Sequence, residues 1–152
     1  MQHVSMKKVY IASDHAGYAR KEILKIHLEQ RGFDVTDYGP DELNPQDDYP
    51  DYAVPLAQAS SQDKIPGIVL CGNAEGVCIV ANKVKGIRAA LGYSIYAAQS
   101  SRSDDDSNVL CVPGRTLSDQ EAKDIVDTWL ATPFSGEERH LRRLKKVADL
   151  EK

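Results

Sequence analysis

A chain of 152 residues with 41% hydrophobic and 28% charged content has the makeup of one ordinary globular domain, long enough to bury a core of its own. Its formal net charge of -4 excludes the overall basic footprint of a nucleic-acid binder, and no run has the apolar length of a membrane span or the pattern of a secretory signal, so a cytoplasmic chain is expected. Three cysteines, Cys71, Cys78 and Cys111, leave one unpaired in any disulfide scheme and lack CxxC spacing, which favours reduced thiols and no metal.

Residues 1–6 carry no pattern and are set apart as an N-terminal extension, leaving 7–152 as the domain. Val9 to Ser13 reads as a first strand, followed by a turn of Asp14, His15, Ala16 and Gly17 and a helix from about Tyr18 to Arg31. Ala19, Ile23 and Ile26, with Leu24 and Leu28 beside them, recur at helical spacing, and Gly32 supplies the stop. The turn lacks the GxGxxG pattern of dinucleotide sites. It does set an aspartate and a histidine at a strand's carboxyl end, where open α/β sheets hold ligands. His15 reads equally as a ligand contact or a structural residue; His27, inside the helix, reads as structural. Asp34 to Asp37 is a second strand. Tyr38 to Pro50 is an acidic surface loop of functional length, in which Asp47-Asp48-Tyr49 is either part of a site or a solvated helix entry. A helix from Asp51 to about Gln62 tolerates Pro55 only in or near its first turn.

Ile68, Val69 and Leu70 form a short apolar run that suits a strand covered on both faces, with Cys71 at its carboxyl end. Gly72 and Gly76 let the following backbone turn tightly into a short helix from about Glu75 to Val84, so that N–H groups converge on an anion or a developing oxyanion. A thiol there has two readings: a base whose thiolate is favoured by the helix N-terminus, or inert packing, since cysteine is among the most buried residue types. Arg88 to Leu91 is a fourth strand. Ile95 to Ser103 is a helix ended by Asp104-Asp105-Asp106, whose charge opposes the helix dipole and is therefore either solvated or retained for a reason. Val109 to Val112 is the fifth strand, and Pro113, Gly114 and Arg115 its outgoing turn. Ser118 and Glu121 make a capping box for a helix whose core face is Ala122, Ile125, Val126, Trp129 and Leu130. Pro133 breaks it, and a last helix runs from about Gly136 to Glu151. Leu141, Leu144 and Ala148 mark its apolar stripe; Arg139, Arg142, Arg143 and Lys146 on the other side are either solvated or a phosphate clamp. Such a clamp points away from its own core and implies a site completed by a second chain. The strand–helix alternation commits the chain to one α/β domain with a mainly parallel sheet of five strands, covered on both faces.

IASDHAGY, DDYPDYA, CGNAEGVCIVANKVKGIRAA, SRSDDDSNVL, PGR and RHLRR resemble, in order and spacing, the sugar-phosphate isomerases of the ribose-5-phosphate isomerase B and galactose-6-phosphate isomerase family. The likeness covers nearly the whole chain after Lys7. It implies a Rossmann-like three-layer α/β/α sandwich and a cofactor-independent aldose–ketose isomerase acting on a phosphorylated sugar. It also implies a homodimer or homotetramer with shared active sites, its C-terminal helix reaching the partner. By this likeness Cys71 falls on the base that moves a proton between C2 and C1, and the backbone of Gly72, Asn73, Ala74 and Gly76 on the anion hole for the enediolate. Asp14 and His15 fall on sugar and phosphate contacts, and Arg115, Arg139 and Arg143 on phosphate-binding positions. Tyr49 and Asp105 belong to motifs placed against the substrate.

The chain also departs from the family pattern. Asp104 and Asp105 stand where furanose-opening members carry histidine and asparagine, and an unperturbed aspartate is already ionised where histidine donates protons. Asn73 replaces a threonine or serine, Ala74 a glycine, and Glu75 enters a position that is often apolar. Glu75 is thus a candidate second acid/base, since some relatives place a glutamate two positions later, at Val77. Two further readings follow from these departures: a subunit of a heteromeric galactose-6-phosphate-type isomerase, and an idle sugar-phosphate-binding module.

Overall fold

The apolar runs of the sequence pair in parallel into one sheet of order β2-β1-β3-β5-β4, made of β1 (Lys7–Ser13), β2 (Phe33–Asp37), β3 (Gly67–Cys71), β4 (Ala89–Leu91) and β5 (Val109–Pro113). The structure is a computed structural model describing residues 6–152; of the expected extension, residues 1–5 lie outside the described residues and Met6 is exposed. Linking the strands are α1 (Tyr18–Gln30), α2 (Pro50–Asp63), α3 (Glu75–Ala81) and α4 (Ile95–Asp105); α5 (Asp119–Ala131) and α6 (Glu138–Ala148) follow β5. None of the described helices is long and apolar enough to cross a membrane.

Successive strand side chains point to opposite faces, and this alternation builds two cores. Val9, Ile11, Leu110 and Val112 pack under α1 and α5 against Leu24, Ile125 and Trp129. Tyr10, Ala12, Val69, Cys71 and Cys111 face the other way, against Leu56 of α2 and Val77 of α3. The result is the expected Rossmann-like α/β/α sandwich. Its chain leaves β1 for β2 on one side and returns to β3 on the other, so the crevice between the carboxyl ends of β1 and β3 is a topological switch point.

Local signals act largely as anticipated. Gly32 ends α1 at φ 87°. Ser118 and Glu121 form the reciprocal capping box of α5, at 3.1 and 3.0 Å. His27 is structural, its Nε2 lying 2.8 Å from Asp127 Oδ1. Three details differ. Because α2 begins at Pro50, Pro55 lies in its second turn, and the helical carbonyl it leaves free belongs to exposed Asp51. Helix α4 runs on through Asp104 and exposed Asp105, and its C-cap Asp106 is paired, accepting from Arg102 at 2.8 Å and Arg88 at 3.4 Å. On α6 the buried residue is His140, whereas Leu141 of the expected apolar stripe is 52% exposed.

Candidate active site

Asp14 and His15 leave β1 in a turn fixed from several sides. The Asp14 N–H donates to the Leu70 carbonyl (3.1 Å), and the Gly17 N–H donates to Asp14 Oδ1 (3.1 Å). Gly17 is required here, because a Cβ on it would stand 2.6 Å from Leu70 Cβ. Asp14 is therefore buried, while the His15 side chain keeps 33% of its surface. The loop before α2 reaches over it. Asp47, whose side chain is only 4% exposed, accepts from the His15 backbone N–H (2.9 Å) and lies 2.7 Å from Nδ1 through the same oxygen. That hydrogen bond raises the His15 pKa above its ordinary 6.5 against the effect of burial; Asp14 adds to the rise and Arg115 opposes it.

At the end of β3, Cys71 is 6% exposed. The Gly114 N–H donates to the Cys71 carbonyl (2.9 Å) and the Arg115 N–H to that of Gly72 (3.0 Å), which ties the turns after β3 and β5 together. The Arg115 guanidinium lies over Gly72, so close that a Cβ there would meet Nη1 at 2.8 Å; a Cβ on Gly76 would meet the Tyr49 ring at 2.6 Å. These glycines serve close approach. The left-handed residue of the turn is Ala74, at φ 66°, which precedes α3 as its N-cap.

Most of the residues singled out from the sequence come together. Asp14 and His15, Tyr49, the β3 turn through Cys71, Gly72, Asn73, Glu75 and Gly76, and Arg115 line one cleft of about 310 Å³ over the switch point. Ala74 belongs to the turn but buries its methyl in the core beneath. Val77 is also fully buried, so on the α3 side it is Glu75 that brings a carboxylate to this cleft, across from Asp14. Four residues stand elsewhere. Asp104 lies 3.5 Å from His140 Nε2 and accepts from Ser103 Oγ at 3.1 Å. Asp105 lines a separate hollow with Leu144 and Val147. Arg139 pairs with Glu137, and Arg143 is exposed on α6.

Sequence reasoning left Asp47 undecided, and nothing in its local pattern tells that a loop carboxylate turns inward. Asp14, His15 and Asp47 bring a donor atom each within 4.8 Å of one another. The 2.7 Å contact already satisfies His15 Nδ1 and Asp47 Oδ1, which makes the trio a hydrogen-bonded cluster rather than an open ligand set. A second hollow, of about 320 Å³, lies near the amino ends of β3, β4 and β5 beside Arg88, Arg102 and Trp129. Its arginines are engaged by Asp106 and by backbone carbonyls.

A thiol, carboxylates and a cation gathered at the crest of a parallel sheet, where open α/β sheets hold their ligands, mark the cleft of an α/β enzyme acting on a small molecule. The comparisons with known proteins narrow this class. A family model described as Ribose/Galactose Isomerase matches residues 9–147, and the chain belongs to that family of aldose–ketose isomerases. The probable ribose-5-phosphate isomerase B of Mycoplasma genitalium is 44% identical over 146 residues, 95% of either chain. The D-erythrulose-4-phosphate isomerase of Pectobacterium atrosepticum is 39% identical over 132 residues, 86% of this chain and 87% of that one. The crystal structure of ribose-5-phosphate isomerase B from Mycoplasma genitalium with bound ribulose 5-phosphate superposes with a TM-score of 0.92 at 42% identity, covering 98% of each chain.

Proposed function

We propose that this chain interconverts ribose 5-phosphate and ribulose 5-phosphate through an enediolate, without a cofactor, with Cys71 as the base. The observation that carries this reading is the position of Cys71 at the end of β3, in the same cleft as the β3 turn, Asp14, His15 and Arg115. As a thiolate, Cys71 takes the proton from C2 of the open-chain aldose. The electron pair of that C–H bond forms the C1–C2 double bond, and negative charge collects on the carbonyl oxygen. Backbone N–H groups from Gly72 to Gly76 oppose that charge; losing one such donor typically costs about 3 kcal/mol of barrier. The O2 hydroxyl proton passes to O1, which moves the negative charge to O2; as the C2–O2 carbonyl forms, the electron pair of the C1–C2 double bond takes the proton back from the Cys71 thiol at C1, which leaves the ketose and restores the thiolate. Arg115 holds the phosphate remote from the reacting carbons and fixes their orientation.

Arg139 and Arg143, one helical turn apart on α6, complete the clamp from a second copy of the chain, and Asp104 and Asp105 approach the substrate from that copy as well. This accounts for four residues standing outside their own cleft. A second reading concerns the sugar. Asp104 is paired with His140 and Ser103, and a relative 39% identical is named for D-erythrulose 4-phosphate. A four-carbon sugar phosphorylated at C4 has no hydroxyl left to close a five-membered ring, so its isomerase needs no ring-opening acid.

Proton NMR in deuterium oxide separates these readings. With ribose 5-phosphate, ribulose 5-phosphate should appear with deuterium at C1, and Cys71→Ala should lower the rate by about 10²–10⁴-fold, the usual worth of a general base. Turnover of erythrulose 4-phosphate alone would select the tetrose reading. Undiminished turnover by Cys71→Ala would remove the thiol from the mechanism and leave Glu75 as the base.

A further inference from the structure

The Asp47 carboxylate is nearly dry and incompletely paired. Its Oδ1 takes both His15 donors, while Oδ2 is buried without a hydrogen-bond partner among the described residues. A buried carboxylate favours a cation beside it, and the His15 ring stands 2.7 Å from it through Nδ1. Fixing Nδ1 on Asp47 leaves Nε2 as the ring nitrogen free to face the cleft that His15 lines with Arg115. Tyr52 closes the other side; its phenol pKa is raised by burial, by the Asp47 charge and by a longer hydrogen-bonding approach to the Asp47 carboxylate.

We propose that Asp47 is a positioning residue for the isomerase: it holds His15 as an imidazolium with Nε2–H directed into the cleft, so that His15 and Arg115 form a paired cationic seat for the substrate's phosphate. This rests on the sugar-phosphate reading above and adds to it the residue that sets the charge of the seat. Asp14 on its own turn and Asp47 before α2 favour the cation, and Arg115 after β5 opposes it. Glu75, Cys71 and Tyr49 share the cleft wall. An anionic phosphate placed between His15 and Arg115 relieves the repulsion between those two cations, so binding and protonation reinforce each other.

The sign of the pH dependence follows. A raised histidine pKa favours the cation from the ordinary value of 6.5 upward. Phosphate affinity is therefore retained above pH 6.5 and falls as pH climbs through the raised value. Asp47→Asn keeps a hydrogen-bond acceptor for His15 but removes the charge.

The test combines histidine ring ¹⁵N NMR with inorganic phosphate binding and steady-state kinetics, on wild type and Asp47→Asn, with His15→Asn to assign the resonances. In wild type the His15 ring should titrate above the ordinary 6.5, with protons on both nitrogens below that point. In Asp47→Asn it should titrate at lower pH and inorganic phosphate should bind roughly tenfold more weakly, the range for one hydrogen bond to a charged group. The KM for ribose 5-phosphate should rise by a similar factor, with a far smaller change in kcat. A His15 that titrates at or below the ordinary value in wild type overturns the proposal, and this arm needs no variant to fold. Unchanged phosphate affinity in Asp47→Asn overturns it too, even if the melting temperature drops. If the titration and phosphate arms behave as stated while ribose 5-phosphate is not converted, the seat stands and the assigned substrate fails.

Discussion

At the scale of single residues, the cleft depends on atoms that are absent as much as on those present. Gly72 and Gly76 appear in the sequence as turn-formers, yet the positive φ of the turn falls on Ala74, and the two glycines clear space for Arg115 and Tyr49. Gly72→Ala is therefore expected to act on binding. The new methyl would meet Nη1 at 2.8 Å, Cζ at 3.0 Å and Nε at 3.1 Å of Arg115, the far end of a flexible side chain that can swing aside. Stability should change by less than about 1 kcal/mol, while KM for ribose 5-phosphate rises several-fold as the guanidinium leaves its place. Thermal melts and steady-state kinetics on the same preparation check both halves. A large loss of stability with unchanged KM would mean that Arg115 is held for the fold and not for the phosphate.

At the scale of elements, α1 is locked to β2 by a buried ion pair. Lys21 is fully buried, and its ammonium donates to both Asp37 oxygens at 3.0 Å; Lys25 donates to Asp37 at 2.8 Å and the Gly39 N–H at 2.8 Å. Burial pushes the Asp37 pKa upward, but Lys25, Gly39 and Lys21 together hold it below its ordinary 3.8. A depressed carboxylate pKa contributes stability that is present above pH 3.8 and is lost as pH falls through the native value. Asp37→Ala should cost about 3 kcal/mol by stranding the Lys21 charge, and acid unfolding of the variant should lose this component of its pH dependence. Chemical denaturation at neutral and acid pH measures the difference. None of this pairing was legible in the sequence, where Lys21 is a lysine beside the predicted stripe and Asp37 the last residue of a strand. What was legible is what repeats: the core face of α5, its capping box and the glycine after α1. Helix α6 marks the boundary of that method. Amphipathic spacing tells that a helix has two faces but not what covers each, and here His140 is the buried residue while Leu141 is half exposed.

At the scale of the whole molecule, parallel alternation makes a site predictable, because β1, β3 and β5 all end on one crest and deliver Asp14, Cys71 and Arg115 to it from distant parts of the chain. The same logic could not bring Asp104, Asp105, Arg139 or Arg143 there, since they sit on helices whose partners the strand order does not specify. The proposed shared site makes a quantitative demand on the assembly. Cys71→Ala and Arg143→Ala should each be nearly inactive at substrate concentrations well below KM. Co-expressed with different tags and allowed to assemble at random, half of the dimers are hybrids. In a hybrid, one cleft combines intact Cys71 with intact Arg143 from the other chain, and its twin lacks both. Two-fold symmetry then predicts recovery of about a quarter of wild-type activity in the mixture, concentrated in the doubly tagged fraction. If each cleft were completed within its own chain, every site in the hybrid would carry one lesion and no activity would return. The activity of the doubly tagged fraction thus reports whether α6 serves its own cleft or its neighbour's.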